Sequence, residues 1–184
     1  MDETPLIITT SDSSVVPVLK VHRLYDDVIL PKYSTENSAC FDIHAYITQD
    51  SRPLVYPRHN RPYEEMVIFG NERQILHGGD RVLIPTGLIF DIPPGYSLRL
   101  HPRSGLALKH GITLVNAEGI VDEDYIQEVK IILLNTSQFF ATIKNGDRIC
   151  QAELVEDKRA QLIEIDAPPN IKTNRSGGFG STGI

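Results

Sequence analysis

The amino-acid sequence predicts an all-β protein, built as a sandwich or barrel of short strands. Short apolar runs follow one another along most of the chain, and Pro, Gly, Asn and Asp residues separate them. No segment sustains a helical period for more than a turn or two, around Gly105 to His110. Many short strands with frequent turn signals are typical of sandwiches and barrels. At 184 residues the chain is long enough for one well-buried domain.

The clearest strand signal is a strict alternation in which apolar Phe41, Ile43 and Ala45 are separated by Asp42 and His44. A period of two residues predicts a strand with one buried face. Further strands are predicted at Arg81–Ile84, Leu88–Ile92, Tyr96–Leu100, Val129–Leu134, Phe139–Ile143, Arg148–Val155 and Leu162–Ile165.

We expect one all-β domain over residues 16–167, flanked by two arms. Residues 1–15 are acidic and rich in Ser and Thr, which indicates a flexible N-terminal arm. Residues 168–184 are rich in glycine, and such a tail does not hold a fixed shape unaided, because each glycine loses much backbone entropy when it is ordered.

An excursion is predicted at residues 49–79, which are rich in Pro, Arg, His and Tyr and contain the apolar run Met66–Phe69. We expect a small ordered hairpin packed on the outer surface of the β-domain. In an oligomer this excursion would cover the edge of a neighbouring subunit, or it would offer a separate surface to a macromolecular partner. The alternative is an insertion that is merely tolerated.

The composition excludes several classes of function. The formal net charge is −6 and the pI is about 5.5, so no direct binding to nucleic acid is expected. No apolar run is long enough to span a bilayer, and we expect a cytoplasmic protein, in the host cytoplasm if it is viral. Two cysteines and six unpaired histidines indicate neither a disulfide framework nor a zinc site. The chain also lacks the phosphate-binding loop of the P-loop nucleotidases.

A candidate catalytic group lies in residues 111–125. Apolar residues there flank a polar turn, Asn116 to Gly119, which predicts a β-hairpin. Asp122 and Tyr125 follow the turn. A carboxylate can act as a general base, and an aromatic face can pack on a sugar or a nucleobase. The alternative is an acidic turn exposed to water.

Candidate phosphate-binding groups occur in three other segments. Arg103, Ser104 and Gly105 place a guanidinium, a hydroxyl and an accessible backbone amide side by side, which are the donors that phosphate oxygens require. Residues 146–151 add Arg148 and Gln151 on a strand. The tail adds a cation, an aromatic ring and two hydroxyls that would suit closure over a nucleotide: Arg175, Phe179, Ser181 and Thr182.

Taken together, these segments resemble the five ordered motifs of the homotrimeric dUTP diphosphatases, or dUTPases. The matching stretches follow the family's order: Ala39–Ala45, Pro102–Ala107, Gly119–Tyr125, Gly146–Gln151 and Gly177–Gly183. The resemblance covers residues 39–45 and most of 81–183. Three positions depart from it. Cys40 and Gln127 stand where the family commonly has glycine, and Arg175 lies four rather than five residues before Phe179.

The resemblance implies a jelly-roll-like β-barrel that assembles as a homotrimer, with active sites drawn from more than one subunit. The implied reaction is hydrolysis of dUTP to dUMP and pyrophosphate. Asp122 would activate the water that attacks the α-phosphorus, and the C-terminal arm would close over the site. The implied substrate-binding residues are Arg103, Ser104, Gly105, Asn116, Gly119, Ile120, Val121, Tyr125, Lys130, Gln151, Arg175, Phe179, Gly180, Ser181 and Thr182.

The resemblance also assigns roles within that set. Asn116, the backbone near Gly119 to Val121 and the strand near Lys130 would read uracil, while Tyr125 would exclude a 2′-hydroxyl and Phe179 would stack on the base. Mg²⁺ would be held chiefly by phosphate oxygens and water, with Asp42 no closer than an indirect partner.

Two alternatives remain open. A dCTP deaminase of the same superfamily resembles the chain around the central turn, but that branch uses a glutamate on the following strand, and Val129–Leu134 contains none. A regulatory binding protein built on the dUTPase fold would use residues 49–79 as its recognition surface.

Overall fold

The computed structural model describes residues 16–51, 53–58, 64–65, 73–170 and 172–173. Apart from one seven-residue helix, the regular structure of these residues is entirely β, which confirms the predicted fold class. The elements are β1 (Lys20–Arg23), β2 (Phe41–His44), β3 (Leu54–Tyr56), β4 (Glu64–Glu65), β5 (Arg73–Leu76), β6 (Arg81–Pro85), β7 (Leu88–Asp91), β8 (Tyr96–His101), α1 (Ser104–His110), β9 (Ile112–Leu114), β10 (Gly119–Val121), β11 (Lys130–Asn135), β12 (Ala141–Lys144) and β13 (Arg148–Glu156).

Two antiparallel sheets form the body of the barrel. One contains β10, β8, β13 and β2 in that spatial order, and the other contains β4, β3, β6, β11 and β9. Two smaller sheets pair β1 with β7 and β12 with β5. Within the described residues, no helix is long and apolar enough to cross a membrane.

The alternating residues of the strands build the core. In the five-stranded sheet Ile131 lies opposite Ile84, and Leu133 lies opposite Val82, and all four are at most 1% exposed. Such a pairing is stable because both members of each pair face the same side of the sheet. Burying each aliphatic side chain contributes about 1.5–3 kcal/mol relative to leaving it in water.

The predicted hairpin at residues 111–125 is wrong. Strand β9 pairs with β11, and strand β10 pairs with β8 in the other sheet. The buried side chains explain the separation, because Leu114 lies opposite Leu133 whereas Val121 lies opposite Leu98. The polar turn therefore carries the chain from one sheet to the other.

Two predicted strands also differ from the structure. The strand predicted at Phe139–Ile143 begins only at Ala141, because the carbonyl of Phe139 accepts hydrogen bonds from Asn135 and Ser137 within a loop. The segment Leu162–Ile165 is not a strand, and its apolar side chains are exposed. The pairing of β13 with β8 ends at Glu156. Residues 162–165 therefore pair with no strand in the described chain.

The excursion at residues 49–79 begins and ends in strands of the barrel. Val55 of β3 lies opposite Val82 of β6 and is 2% exposed. Leu76 of β5 is fully buried, and β5 pairs with β12. The short strand β4 pairs antiparallel with β3 at the sheet edge. The apolar run at residues 66–69 lies outside the described residues, and the partner surface remains a prediction.

Candidate functional site

Three separated segments meet at an open cavity of about 360 Å³. They are the start of β2 with the loop before it, the loop from β8 into α1, and β13. The lining residues are Ser34, Ser38, Ala39, Cys40, Asp42, Arg103, Ser104, Gly105, Arg148 and Gln151. The structure thus brings together three of the five segments that the sequence singled out.

Asp42 organises the charged side chains of this cavity. Its Oδ1 accepts a hydrogen bond of 2.7 Å from Nε of Arg103, and its Oδ2 accepts one of 3.1 Å from Nη1 of Arg148. The carboxylate side chain is only 14% exposed, so this arrangement is screened less by water than a surface ion pair. Both carboxylate oxygens are therefore already occupied by guanidinium groups.

Arg103 is held by two bonds and keeps one donor group open. In addition to the bond with Asp42, its Nη1 donates to the backbone oxygen of Arg148 at 3.1 Å. Its Nη2 makes no hydrogen bond with the described part of the chain. A guanidinium fixed in this way can present N–H groups to an anion without losing much side-chain entropy on binding.

The next two residues open helix α1 and are exposed. The Ser104 hydroxyl and the Gly105 backbone lie at the cavity wall. A Cβ built on Gly105 would meet no atom of the described chain within 4 Å. This chain alone therefore does not require glycine there, and the open space is available to a ligand.

Gln151 has a second function besides lining the cavity. Its Nε2 donates to the backbone oxygen of Pro102 at 2.9 Å, which ties β13 to the loop that carries Arg103. At the other end of α1, Gly111 closes the helix in a left-handed conformation with φ of 65°, and its backbone oxygen accepts a hydrogen bond of 2.8 Å from the N–H of Thr136.

The two cysteines and His44 near the cavity favour their neutral forms. Burial raises the pKa of the Cys150 thiol to about 12. Burial also raises the pKa of the Cys40 thiol, and the carboxylates of Glu153 and Asp42 raise it further. Burial lowers the pKa of His44, which favours the neutral imidazole. A raised pKa keeps both thiols protonated at neutral pH, which makes them poor nucleophiles.

The remaining candidate residues that the structure describes lie away from this cavity. Asp122 is exposed and follows β10 directly, and its carboxylate makes no hydrogen bond with the described residues. Asn116 is exposed in the crossing turn, close to Gly119, which is buried against Leu100. Ile120 is 55% exposed, whereas Val121 is 6% exposed.

Tyr125 and Lys130 form a third group. The Tyr125 hydroxyl donates to the backbone oxygen of Glu128 at 3.0 Å, and the ring is partly exposed. Lys130 lies 3.5 Å from the Glu128 carboxylate. Lys130 lines a different cavity of about 480 Å³, together with Tyr25, Tyr46 and residues of the five-stranded sheet such as Leu83.

The topology explains why Asp122 and the cavity are apart. Asp42 lies on β2 at one edge of the four-stranded sheet, and Asp122 follows β10 at the opposite edge. Three inter-strand spacings of about 4.8 Å separate these strands, which is roughly 14 Å. One chain therefore does not place this carboxylate against the guanidinium of Arg103.

The structure also reveals cavity residues that the sequence reasoning missed. Ser34 and Ser38 line the cavity, and the Ser38 hydroxyl accepts a hydrogen bond from the backbone N–H of Thr35. A cluster of Ser, Thr and Asn directly before the first strand signal indicates such a turn. The tail residues Arg175, Phe179, Gly180, Ser181 and Thr182 lie outside the described residues.

One group of potential metal ligands lies on the exposed side of the four-stranded sheet. The ligand atoms of His101, Glu118 and Glu153 are all within 4.8 Å of one another. These side chains already pair with one another, and Arg99 lies 3.5 Å from Glu118. None of the three lines the cavity around Asp42.

Comparisons with known proteins agree on one family. The family model described as dUTPase matches residues 68–183. The deoxyuridine 5'-triphosphate nucleotidohydrolase of Nautilia profundicola is 36% identical over 165 residues, which span 90% of this chain and 98% of that protein.

Solved structures show the same fold. The dUTPase of Staphylococcus bacteriophage 80alpha, in a structure with dUPNHPP, has a TM-score of 0.70 at 19% identity and covers 92% of this chain and 100% of its own. A mutant dUTPase from phage phi11 of S. aureus, with a structural Mg(II) ion, has a TM-score of 0.62 at 18% identity and covers 82% of this chain and 97% of its own.

Proposed function

The chain belongs to the dUTPase family of enzymes, which hydrolyse dUTP to dUMP and pyrophosphate, and we propose how its own residues divide this reaction. The cavity around Asp42 binds the phosphates, and Asp122 supplies the general base. The observation that carries the proposal is the fixed guanidinium of Arg103, which has an open donor beside Ser104 and Gly105.

Phosphate binding follows from the donors at the cavity wall. Arg103 presents Nη2, Ser104 presents its hydroxyl and Gly105 presents its backbone N–H to the triphosphate oxygens. Asp42 keeps the guanidinium in place, since both of its oxygens accept from arginines. Gln151 contributes indirectly, because its side-chain amide donates to the backbone oxygen of Pro102 and so positions the loop that carries Arg103.

The hydrolytic step needs a base and a water molecule in line with the leaving group. The Asp122 carboxylate accepts a proton from the water as the water oxygen attacks the α-phosphorus. The bond from the α-phosphorus to the bridging oxygen breaks, and pyrophosphate leaves with the electron pair. The exposure of Asp122 and its lack of a described hydrogen-bond partner support this role, because both oxygens are open to a ligand.

A complete site requires a second chain. Asp42 and Asp122 lie at opposite edges of one sheet, so we propose that the Asp122 of one subunit faces the cavity of another in a homotrimer. The C-terminal arm, residues 168–184, would close over this shared site. Light scattering should give a molar mass of three times the chain's 20.6 kDa.

Mg²⁺ is the cation that we propose for the reaction. The donor set fits an ion bound through the substrate, because both oxygens of Asp42 already accept bonds from guanidinium groups. Triphosphate oxygens and water would supply the ligands of Mg²⁺, with Asp42 no closer than an indirect partner. When bound, the ion neutralises charge on the triphosphate.

Substrate choice among nucleotides provides the direct test. Pyrophosphate release from dUTP, dCTP, dTTP and UTP, each with Mg²⁺, should be fastest with dUTP by a wide margin. The turn from Asn116 to Gly119 and the backbone through Val121 would reject cytosine by donor and acceptor mismatch, and a 5-methyl group by contact. Deamination of dCTP without pyrophosphate release would contradict the proposal.

Replacing Tyr125 with Ala should weaken discrimination against UTP more than it weakens binding of dUTP. The ring would fill the space that a 2′-hydroxyl needs, so its removal should raise kcat/KM for UTP relative to dUTP. Tyr125→Phe is the control, since it keeps the ring but removes the hydrogen bond to Glu128. Equal losses for both nucleotides in the Ala variant would show that the ring only supports the loop.

A further inference from the structure

The strand that leads into Asp122 is short and lies at a sheet edge. Strand β10 has three residues, pairs with β8 and ends at Val121. Among the described strands, none pairs with its other side. Three ladder pairs on one side constrain a strand end weakly. A general base, however, must meet its proton within hydrogen-bond distance, so its position needs firmer support.

Glu123, the residue after Asp122, provides a contact that can give such support. Its Oε2 accepts a hydrogen bond of 2.6 Å from the backbone N–H of Gly95, in the turn between β7 and β8. Its Oε1 accepts a longer bond of 3.3 Å from Nη2 of Arg159. Gly95 has a φ of 82°, in the left-handed region that favours glycine.

The turn that Glu123 contacts is itself anchored. The backbone oxygen of Gly95 accepts a bond of 2.8 Å from the N–H of Asp157, just after β13. The Asp157 carboxylate accepts from Ser97, which is 1% exposed, and from Arg99, both at 2.8 Å. Glu123 therefore connects the end of β10 to a point that is tied to the buried part of the sheet.

The other end of β10 has a weaker contact of the same kind. Arg99 lies 3.5 Å from the carboxylate of Glu118, the residue before β10. Because that distance is long and both side chains are partly exposed, the contact with Glu118 constrains the strand less than the 2.6 Å bond at Glu123 does.

We propose that Glu123 is a positioning residue for the dUTPase reaction. Its carboxylate fixes the end of β10 against the Gly95 turn. This contact thereby orients the Asp122 carboxylate toward the attacking water. This inference rests on the proposed role of Asp122 as the base. Glu123 itself touches no reacting atom.

Steady-state kinetics of the full-length enzyme test this role. Glu123→Ala should lower kcat for dUTP by on the order of 10- to 100-fold. It should change KM by less than about threefold, since Glu123 contacts neither the phosphates nor the nucleobase in the proposed site. Glu123→Gln should keep at least about a third of the parent kcat, because its amide oxygen still accepts from Gly95. Glu156→Ala is the matched control, an exposed glutamate at the end of β13 whose side chain makes no hydrogen bond with the described residues. Melting temperatures of all variants should lie close to that of the parent.

A double-variant cycle separates positioning from an independent effect. In an Asp122→Asn background, Glu123→Ala should lower kcat by less than about twofold, because its effect passes through Asp122. The role of Glu123 would be overturned if the kcat losses of Asp122→Asn and Glu123→Ala multiplied in the double variant. It would also be overturned if Glu123→Gln were as slow as Glu123→Ala, or if Glu123→Ala turned over dUTP at the parent rate. If Asp122→Asn is slow and Glu123→Ala is not, only this inference fails. If the parent releases no pyrophosphate from dUTP, the proposed function fails as well.

Discussion

Replacing Asp122 with Asn is expected to lower the turnover of dUTP by on the order of 100-fold or more, while dUTP still binds. Asn keeps the size and shape of the side chain but cannot accept a proton from the attacking water. Since the Asp122 side chain makes no hydrogen bond or ion pair with the described residues, its replacement breaks no such contact in the fold. The loss should therefore appear in kcat, with an unchanged melting temperature.

The neighbouring carboxylate is the control for this experiment. Asp124 is exposed, like Asp122, and has no hydrogen-bond partner among the described residues. Asp124→Asn removes the same charge two residues away and should keep kcat within about twofold of the parent. Pyrophosphate release and direct binding of a non-hydrolysable dUTP analogue should be measured for both variants. An Asp122→Asn enzyme at the parent rate would show that another group is the base.

Removing residues 172–184 should abolish most activity without unfolding the barrel. The deleted tail carries Arg175, Phe179, Ser181 and Thr182, which are the proposed contacts to the bound nucleotide. The core residues that the structure describes all lie before this tail. The truncated protein should keep its cooperative unfolding transition and lose turnover, because the site would no longer exclude water and position the phosphates.

Deletion of residues 1–15 provides a terminal truncation of similar length for comparison. That arm is acidic and carries none of the proposed site residues, so its removal should leave kcat and KM within about twofold of the parent. A tail truncation with normal turnover would contradict the closing role of the C-terminal arm. Lower activity together with a lowered melting temperature would instead indicate a structural role for the tail.

Local patterns predicted six of the thirteen described strands in nearly their observed positions. The alternation from Phe41 to Ala45 identified β2, because a strand turns successive side chains to opposite faces and burial then selects every second residue. The same reasoning located β6, β7, β8, β11 and β13. It failed at Leu162–Ile165, where an apolar run occurs without a neighbouring strand. Periodicity shows which face of a segment could be buried, whereas burial itself requires an adjacent strand in the folded sheet.

Turn signals were less informative about pairing. The residues around Asn116 to Gly119 do form a turn, but β9 and β10 continue into different sheets. A turn pattern depends on residues next to one another in sequence. The partner of each strand is set by the apolar residues opposite it, such as Leu133 and Leu98, which lie elsewhere in the chain.

The sequence by itself determined the all-β class, the candidate base and the segments that carry phosphate-binding groups, because each depends on residue types and short spacings. Only the tertiary structure decided how those groups act on one another. Asp42 meets Arg103 and Arg148, which are 61 and 106 residues away, and this contact holds the open donor of Arg103. The same sheet places Asp122 at its opposite edge and ties Glu123 to Gly95. Such contacts arise from long-range strand pairing, whose register depends on burial across the whole barrel rather than on any local pattern.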